Sequence, residues 1–109
     1  MGHLHYKGYT GSVEYDEEDN YFFGMVLGLH RDGIIYEGTT AEELKKDFRD
    51  GIDDYLEGCR VNHKTPEKPF SGKTVIRMGS QLHEAAVMKA RLLGVSLNDF
   101  IKQAIAAAL

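Results

Sequence analysis

The sequence predicts an α+β chain of two modules, a β-β-β-α layer followed by a strand-helix-helix unit. Three observations carry that prediction: short β-rich runs give way to two-period and then 3.6-period patterning, both prolines fall within four residues of each other, and net charge changes sign beside them. The chain has 109 residues, enough for one ordinary domain or two very small ones and too few for a multidomain enzyme. With 42% apolar and 28% charged residues its composition is that of a water-soluble globular protein, and no apolar run is long enough to span a bilayer. Residues 1–7 lack the basic start, apolar centre and small-residue cleavage site of a signal peptide, and the lone Cys59 permits no intramolecular disulfide. Both features lead us to expect a cytoplasmic location and no membrane partner.

The first strand is expected between Tyr6 and Tyr15, ending in the polar run Asp16 to Asn20, which reads as a hairpin turn. Tyr21 to Leu27 follows as the second strand, Leu29 to Gly33 as another turn, and Ile34 to Glu37 as the third strand of an antiparallel meander. Thr39 or Thr40 then caps a helix, with Glu42 and Glu43 in the first turn, where the helix dipole favours negative charge. Leu44, Phe48, Ile52, Tyr55, Leu56 and Cys59 recur at three- and four-residue steps and form one apolar stripe, so the helix is expected to pack on the sheet and to run to about Glu57. Gly51 within it costs about 1 kcal/mol relative to Ala.

Asn62 to Gly72 contains Pro66 and Pro69, and residues 63–72 read as a linker between a domain of residues 1–62 and one of residues 73–109. The charge division supports this boundary. Residues 1–68 hold eight Lys/Arg and fifteen Asp/Glu, a net −7, whereas residues 69–109 hold five and two, a net +3. Two modules with differently charged partners are implied.

Beyond the linker, Lys73 to Met78 reads as a short strand and Ser80 to Leu93 as a helix stopped by Gly94. Ser96 caps a last helix, with Asp99 at the capping-box position and Leu97, Phe100, Ile101 and Ile105 as its buried side. About forty residues bury too little apolar area to stand alone, and an unpaired strand leaves backbone groups unsatisfied, so this unit is expected to form a homodimer.

A lone strand that pairs with its symmetry mate, backed by two helices from each chain, resembles a ribbon-helix-helix, and the resemblance runs from Lys73 to Leu109. Phe22-Phe23-Gly24, Tyr36 to Leu44 and Pro66 to Lys73 extend it to nearly the whole chain, which closely resembles the HicB antitoxins. That resemblance implies a degenerate RNase-H-like N-terminal domain that binds and blocks a small RNA-cleaving toxin of the HicA-like kind. It also implies a C-terminal ribbon-helix-helix that represses the operon by binding operator DNA, with higher oligomers open to the dimer.

Paired ribbon strands enter the major groove with alternate side chains facing the bases. Alternation sets Thr74, Ile76 and Met78 against Lys73, Val75 and Arg77, and the second set carries both cations. Arg77 is expected to bind guanine bidentately, Lys73 to reach a base or phosphate, and Val75 to touch a thymine methyl or fill space. A solvated edge strand guarded by two cations is the structural alternative. At the start of the last helix, backbone N–H groups of Leu97 and Asn98, with the side chains of Ser96 and Asn98, offer a phosphate site, and simple capping accounts for the same residues.

No catalytic residues, metal ligands or cofactor are expected. Asp16 to Asp19 lack the ligand spacing of an EF-hand, the acids are not arranged to converge on paired Mg²⁺ ions, and His3, His5, His30, His63 and His83 show no zinc-site spacing. Cys59 closes an apolar stripe and reads as a buried thiol. Residues contacting a toxin cannot be named from sequence, although net acidity suits a basic partner. Two other readings remain open: a stand-alone ribbon-helix-helix transcription regulator whose N-terminal domain senses a ligand or oligomerises, and an RNase-H-like nuclease.

Overall fold

The computed structural model describes residues 2–109 and is α+β, with five strands in two small sheets and three helices. The chain divides after Lys73 into two compact units.

The first unit begins with a hairpin of β1 (His3–Tyr6) and β2 (Tyr9–Ser12), and continues through β3 (Glu14–Asp16), β4 (Tyr21–Met25) and β5 (Ile35–Gly38), which form an antiparallel sheet in the order β3-β4-β5. The single strand expected over Tyr6 to Tyr15 is therefore three strands. The chain reverses at Lys7-Gly8, where φ is 49° and 83°, the paired positive φ values of a tight hairpin turn. Lysine is an uncommon occupant of the first of these positions, which hid the turn. The two sheets meet where Gly11 bridges Val26 and the Leu27 N–H donates to the Thr10 carbonyl at 2.8 Å. The Asp16–Asn20 turn lies where expected, tightened by Asp16 Oδ1, which accepts from the Glu18 and Asp19 N–H groups at 2.9 and 3.1 Å.

Helix α1 (Ala41–Val61) packs on one face of this sheet. Thr40 is its N-cap, accepting from the Glu43 N–H at 3.1 Å, and the Glu43 carboxylate returns to the Thr39 N–H and hydroxyl. Leu44, Phe48 and Ile52 are buried with Tyr9, Val26, Ile34 and Tyr36, and the Tyr36 and Phe48 rings meet edge-on at 5.0 Å. Gly51 has a packing reason, since a Cβ there would stand 3.3 Å from the Ile34 side chain. The helix passes the expected end near Glu57 by about one turn. It stops at His63, whose φ of 53° lets the Lys64 N–H return to the Cys59 carbonyl at 2.8 Å.

Much of the segment read as a linker is bound to this unit. The Glu67 carboxylate accepts from the backbone N–H groups of His30, Arg31 and Asp32, the latter two at 2.9 and 2.8 Å. Tyr55 Oη accepts from the Glu67 N–H at 2.8 Å and donates to Asp32 Oδ2 at 2.6 Å. The Phe70 N–H reaches the Gly28 carbonyl at 3.1 Å, and its ring lies so close over Gly28 that a Cβ there would stand 2.8 Å from it. Prolines exclude regular hydrogen bonding, but Glu67 between them and Phe70 just after them anchor the strap.

The second unit contains α2 (Ser80–Leu93) and α3 (Leu97–Ala108), packed through buried Ala86 and Ala90 and half-buried Val87, Val95, Leu97, Phe100 and Ile101. Gly94 ends α2 at φ 71°, with the Val95 N–H returned to the Ala90 carbonyl, and Ser96 caps α3 by accepting from the Asp99 N–H at 3.0 Å. Ile105, expected on the buried side, is 49% exposed. Residues 73–78 form no strand within the chain, contrary to the pattern reading. A strand needs a ladder partner, and one copy of this segment has none in its own unit.

Candidate nucleic-acid interface and partner surface

Lys73, Val75 and Arg77 are all exposed, Val75 to 88%, whereas Ile76 is 48% exposed and Met78 is half-buried. Every side chain from Lys73 to Arg77 is thus exposed in the single chain, Thr74 and Ile76 included. At the start of α3, Leu97 and Asn98 occupy the first helical positions, whose N–H groups have no intrahelical acceptor. Ser96 Oγ already accepts from Asp99, leaving its O–H free to donate, and Asp99 places one carboxylate in the same turn. The Ser96 side chain thus has a structural role whether or not a phosphate docks.

The unit is far from closed on its own. Leu82, Met88, Leu92 and Leu93 are 60%, 61%, 79% and 53% exposed, although they lie on the helix that buries Ala86 and Ala90. Each would gain about 1 kcal/mol or more by full burial, and the second unit by itself leaves them uncovered.

In the first unit, ionisable side chains mainly hold structure. Glu67 sits below its usual pKa because the His30 and Asp32 N–H groups, together with that of Arg31, stabilise its carboxylate. Tyr55 is pushed up to about 12, first by burial and then by its hydrogen bond to Asp32. Burial likewise raises Tyr36, whose hydroxyl donates to the Ser12 carbonyl at 2.6 Å. Asp53 is lowered by Lys7 and also accepts from Tyr6, tying the first hairpin to α1. Among the described residues no group of three or more His, Cys, Asp or Glu could hold a metal ion. Cys59 is buried.

The sheet face turned away from α1 escaped the sequence reading. Register aligns Glu14, Phe23 and Glu37 in one row across β3, β4 and β5, with Asp16 beside Tyr21 on one side and Met25 beside Ile35 on the other. The opposite face carries Tyr15, Phe22 and Gly38 in one row and Gly24 beside Tyr36 in the next. Two-residue alternation in β4 and β5 was the available signal, but apolar residues occupy both faces of β4, so sequence alone does not say which face is left uncovered.

The HicB family model matches residues 55–105, from the last turns of α1 through the strap and most of the helical pair. This match supports a HicB family protein. The match points to the antitoxin side of a toxin–antitoxin system, and HicB antitoxins are generally non-enzymatic. No curated protein and no solved structure matches the chain. Among the described residues, no helix is long and apolar enough to cross a membrane.

Proposed function

We propose that this chain is a HicB-type, cytoplasmic, non-catalytic antitoxin that neutralises a HicA-like RNA-cleaving toxin through its first unit and represses its own operon through its second. The observation that carries the DNA-binding half is the unfinished second unit. Residues 73–78 lack a ladder partner, and Leu82, Met88, Leu92 and Leu93 lack cover. A second copy related by a two-fold axis answers both needs, because antiparallel pairing of the two segments builds a ribbon while the helices close over one core.

In that dimer the ribbon carries Lys73, Val75 and Arg77 twice, toward two half-sites of the major groove. Arg77 reads guanine O6 and N7, Lys73 reaches a base or phosphate, and Val75 contributes apolar contact. Leu97 and Asn98 N–H groups, with the Ser96 hydroxyl and Asn98 amide, grip phosphates and fix register. The N-terminal unit, read as a degenerate RNase-H-like domain, serves as a toxin-binding platform. Its acidity suits a partner that must attract RNA phosphates.

Co-expression of the tagged chain with the product of the adjacent gene, followed by copurification and a growth-rescue assay, tests the antitoxin role. Fluorescence anisotropy with DNA from upstream of the chain's own gene tests repression. Copurification without DNA binding would remove the repressor half, and sequence-specific DNA binding without a copurifying partner would favour the stand-alone regulator.

A further inference from the structure

We infer that the outer face of the β3-β4-β5 sheet is a docking surface for a protein partner that presents an apolar knob ringed by Lys and Arg. The inference rests on the antitoxin reading and deepens it by naming the surface and its chemistry. One face of this sheet carries α1, and nothing among the described residues of the first unit covers the other.

The outer face is built as a binding surface is built, with an apolar centre and a charged rim. Along its middle and one end, Phe23, Met25 and Ile35 are 39%, 53% and 78% exposed, and Tyr21 stacks beside Phe23 with ring centroids 5.5 Å apart. A groove of about 580 Å³ runs over this centre, lined by Phe23, Met25 and Ile35 together with Glu14, Glu37 and Asp47. All the charged residues lining it are acids. An adjoining hollow adds Asp19 and Glu43, again without a cation.

This charge pattern is unfavourable for the isolated domain. Glu14 and Glu37 flank Phe23 on both sides in one cross-strand row, about 10 Å apart at two strand spacings, and like charges along such a row repel. Among the described residues, Glu14, Asp16 and Glu37 on the sheet form no ion pair, and neither does Asp47, which reaches the groove from α1, whereas three other acids of α1 do: Asp50 with Lys46, Glu42 with Lys45 and Glu57 with Arg60. The helix surface thus offsets part of its charge internally, and the sheet face leaves its own to be balanced from outside. A second copy of this chain is the wrong occupant, since face-to-face pairing would double the uncompensated acids. A cationic protein surface satisfies both the charge and the exposed apolar centre.

The test uses full-length chain and the purified product of the adjacent gene, with binding followed by biolayer interferometry at low and moderate salt. Three altered chains are compared after circular dichroism confirms their folding: Glu14→Lys with Glu37→Lys, Ile35→Arg, and the helix control Glu42→Lys with Asp50→Lys. The two double variants change net charge equally, so their difference reports location. We expect the sheet variants to weaken binding by ~10-fold or more, with the Glu14/Glu37 pair acting mainly on association rate, and the helix control to stay within ~3-fold. Equal losses in both double variants, or unaltered binding by Ile35→Arg, would overturn the placement while leaving the antitoxin role intact. Failure of the unaltered chain to bind would overturn the antitoxin reading itself, and the inference with it.

Discussion

Replacing Gly24 with Ala tests whether the outer sheet face is held in place from beneath. Gly24 lies on β4 directly above the Tyr36 hydroxyl, and a Cβ there would stand 2.7 Å from Tyr36 Oη, 2.8 Å from Tyr36 Cε2 and closer still to the Ser12 carbonyl oxygen. Contacts below 3.0 Å force movement, and one collider is backbone, which cannot rotate away. Overpacking of this kind costs about 1–3 kcal/mol. Displacing Tyr36 also strains its 2.6 Å hydrogen bond to the Ser12 carbonyl, adding about 1 kcal/mol, so a loss of about 3 kcal/mol is expected. A unit of this size has about 4–11 kcal/mol of stability at 0.05–0.15 kcal/mol per residue, so the change removes a large share of it. With a urea slope of about 1–1.5 kcal/mol/M, the midpoint should fall by about 2–3 M. Gly33→Ala is the control, because a Cβ at Gly33 meets nothing within 4 Å and its effect should stay within about 0.5 kcal/mol. Equilibrium urea unfolding followed by circular dichroism measures both. A Gly24→Ala midpoint within about 0.5 M of the unaltered chain would refute the claim that β4 and Tyr36 are packed without slack.

Arg77→Ala should weaken operator binding by about 1–3 kcal/mol while leaving binding to random DNA little changed, as read by anisotropy titration. The second unit should unfold at a temperature that rises with protein concentration, because its core closes between copies; a concentration-independent transition by calorimetry would deny the dimer. A fragment of residues 1–72 should neutralise the toxin and melt higher than residues 1–62, which lose the Glu67 and Phe70 anchors. Glu67 has a lowered folded pKa, so its contribution is present above the ordinary 4.5 and is lost as pH falls through the folded value. Glu67→Gln should therefore lower the melting temperature at neutral pH and flatten its fall below about pH 4.5, measured across a pH series.

The elements legible in the sequence were those with a local signature. Thr40, Gly94 and Ser96 cap helices where their side chains or backbone freedom demand it, and the α1 stripe from Leu44 to Cys59 lies against the sheet. What escaped were features set by distant partners. Lys7-Gly8 carries a weak turn signal and divided an apparent strand. Glu67 looked like one polar residue in a proline-rich stretch until folding brought three N–H groups from residues 30–32 to its carboxylate. The alternation over residues 73–78 is an intermolecular signal, which a single chain cannot express as a ladder.

The same reasoning separates what was readable in the two candidate surfaces. Lys73, Val75 and Arg77 could be nominated from sequence because they sit two residues apart in one segment, so a single alternation rule collects them. Glu14, Phe23 and Glu37 come from three strands, and only the register of two ladders puts them in one row. Net acidity announced that the first unit suits a cationic partner without saying where, because seven of the fifteen acids in residues 1–68 fall on α1, where several are neutralised by neighbours. The informative quantity is the acid left unpaired beside exposed apolar side chains. That quantity is high on the outer face of β3-β4-β5 and low on α1, which is why equal charge changes at the two places should have unequal effects on binding.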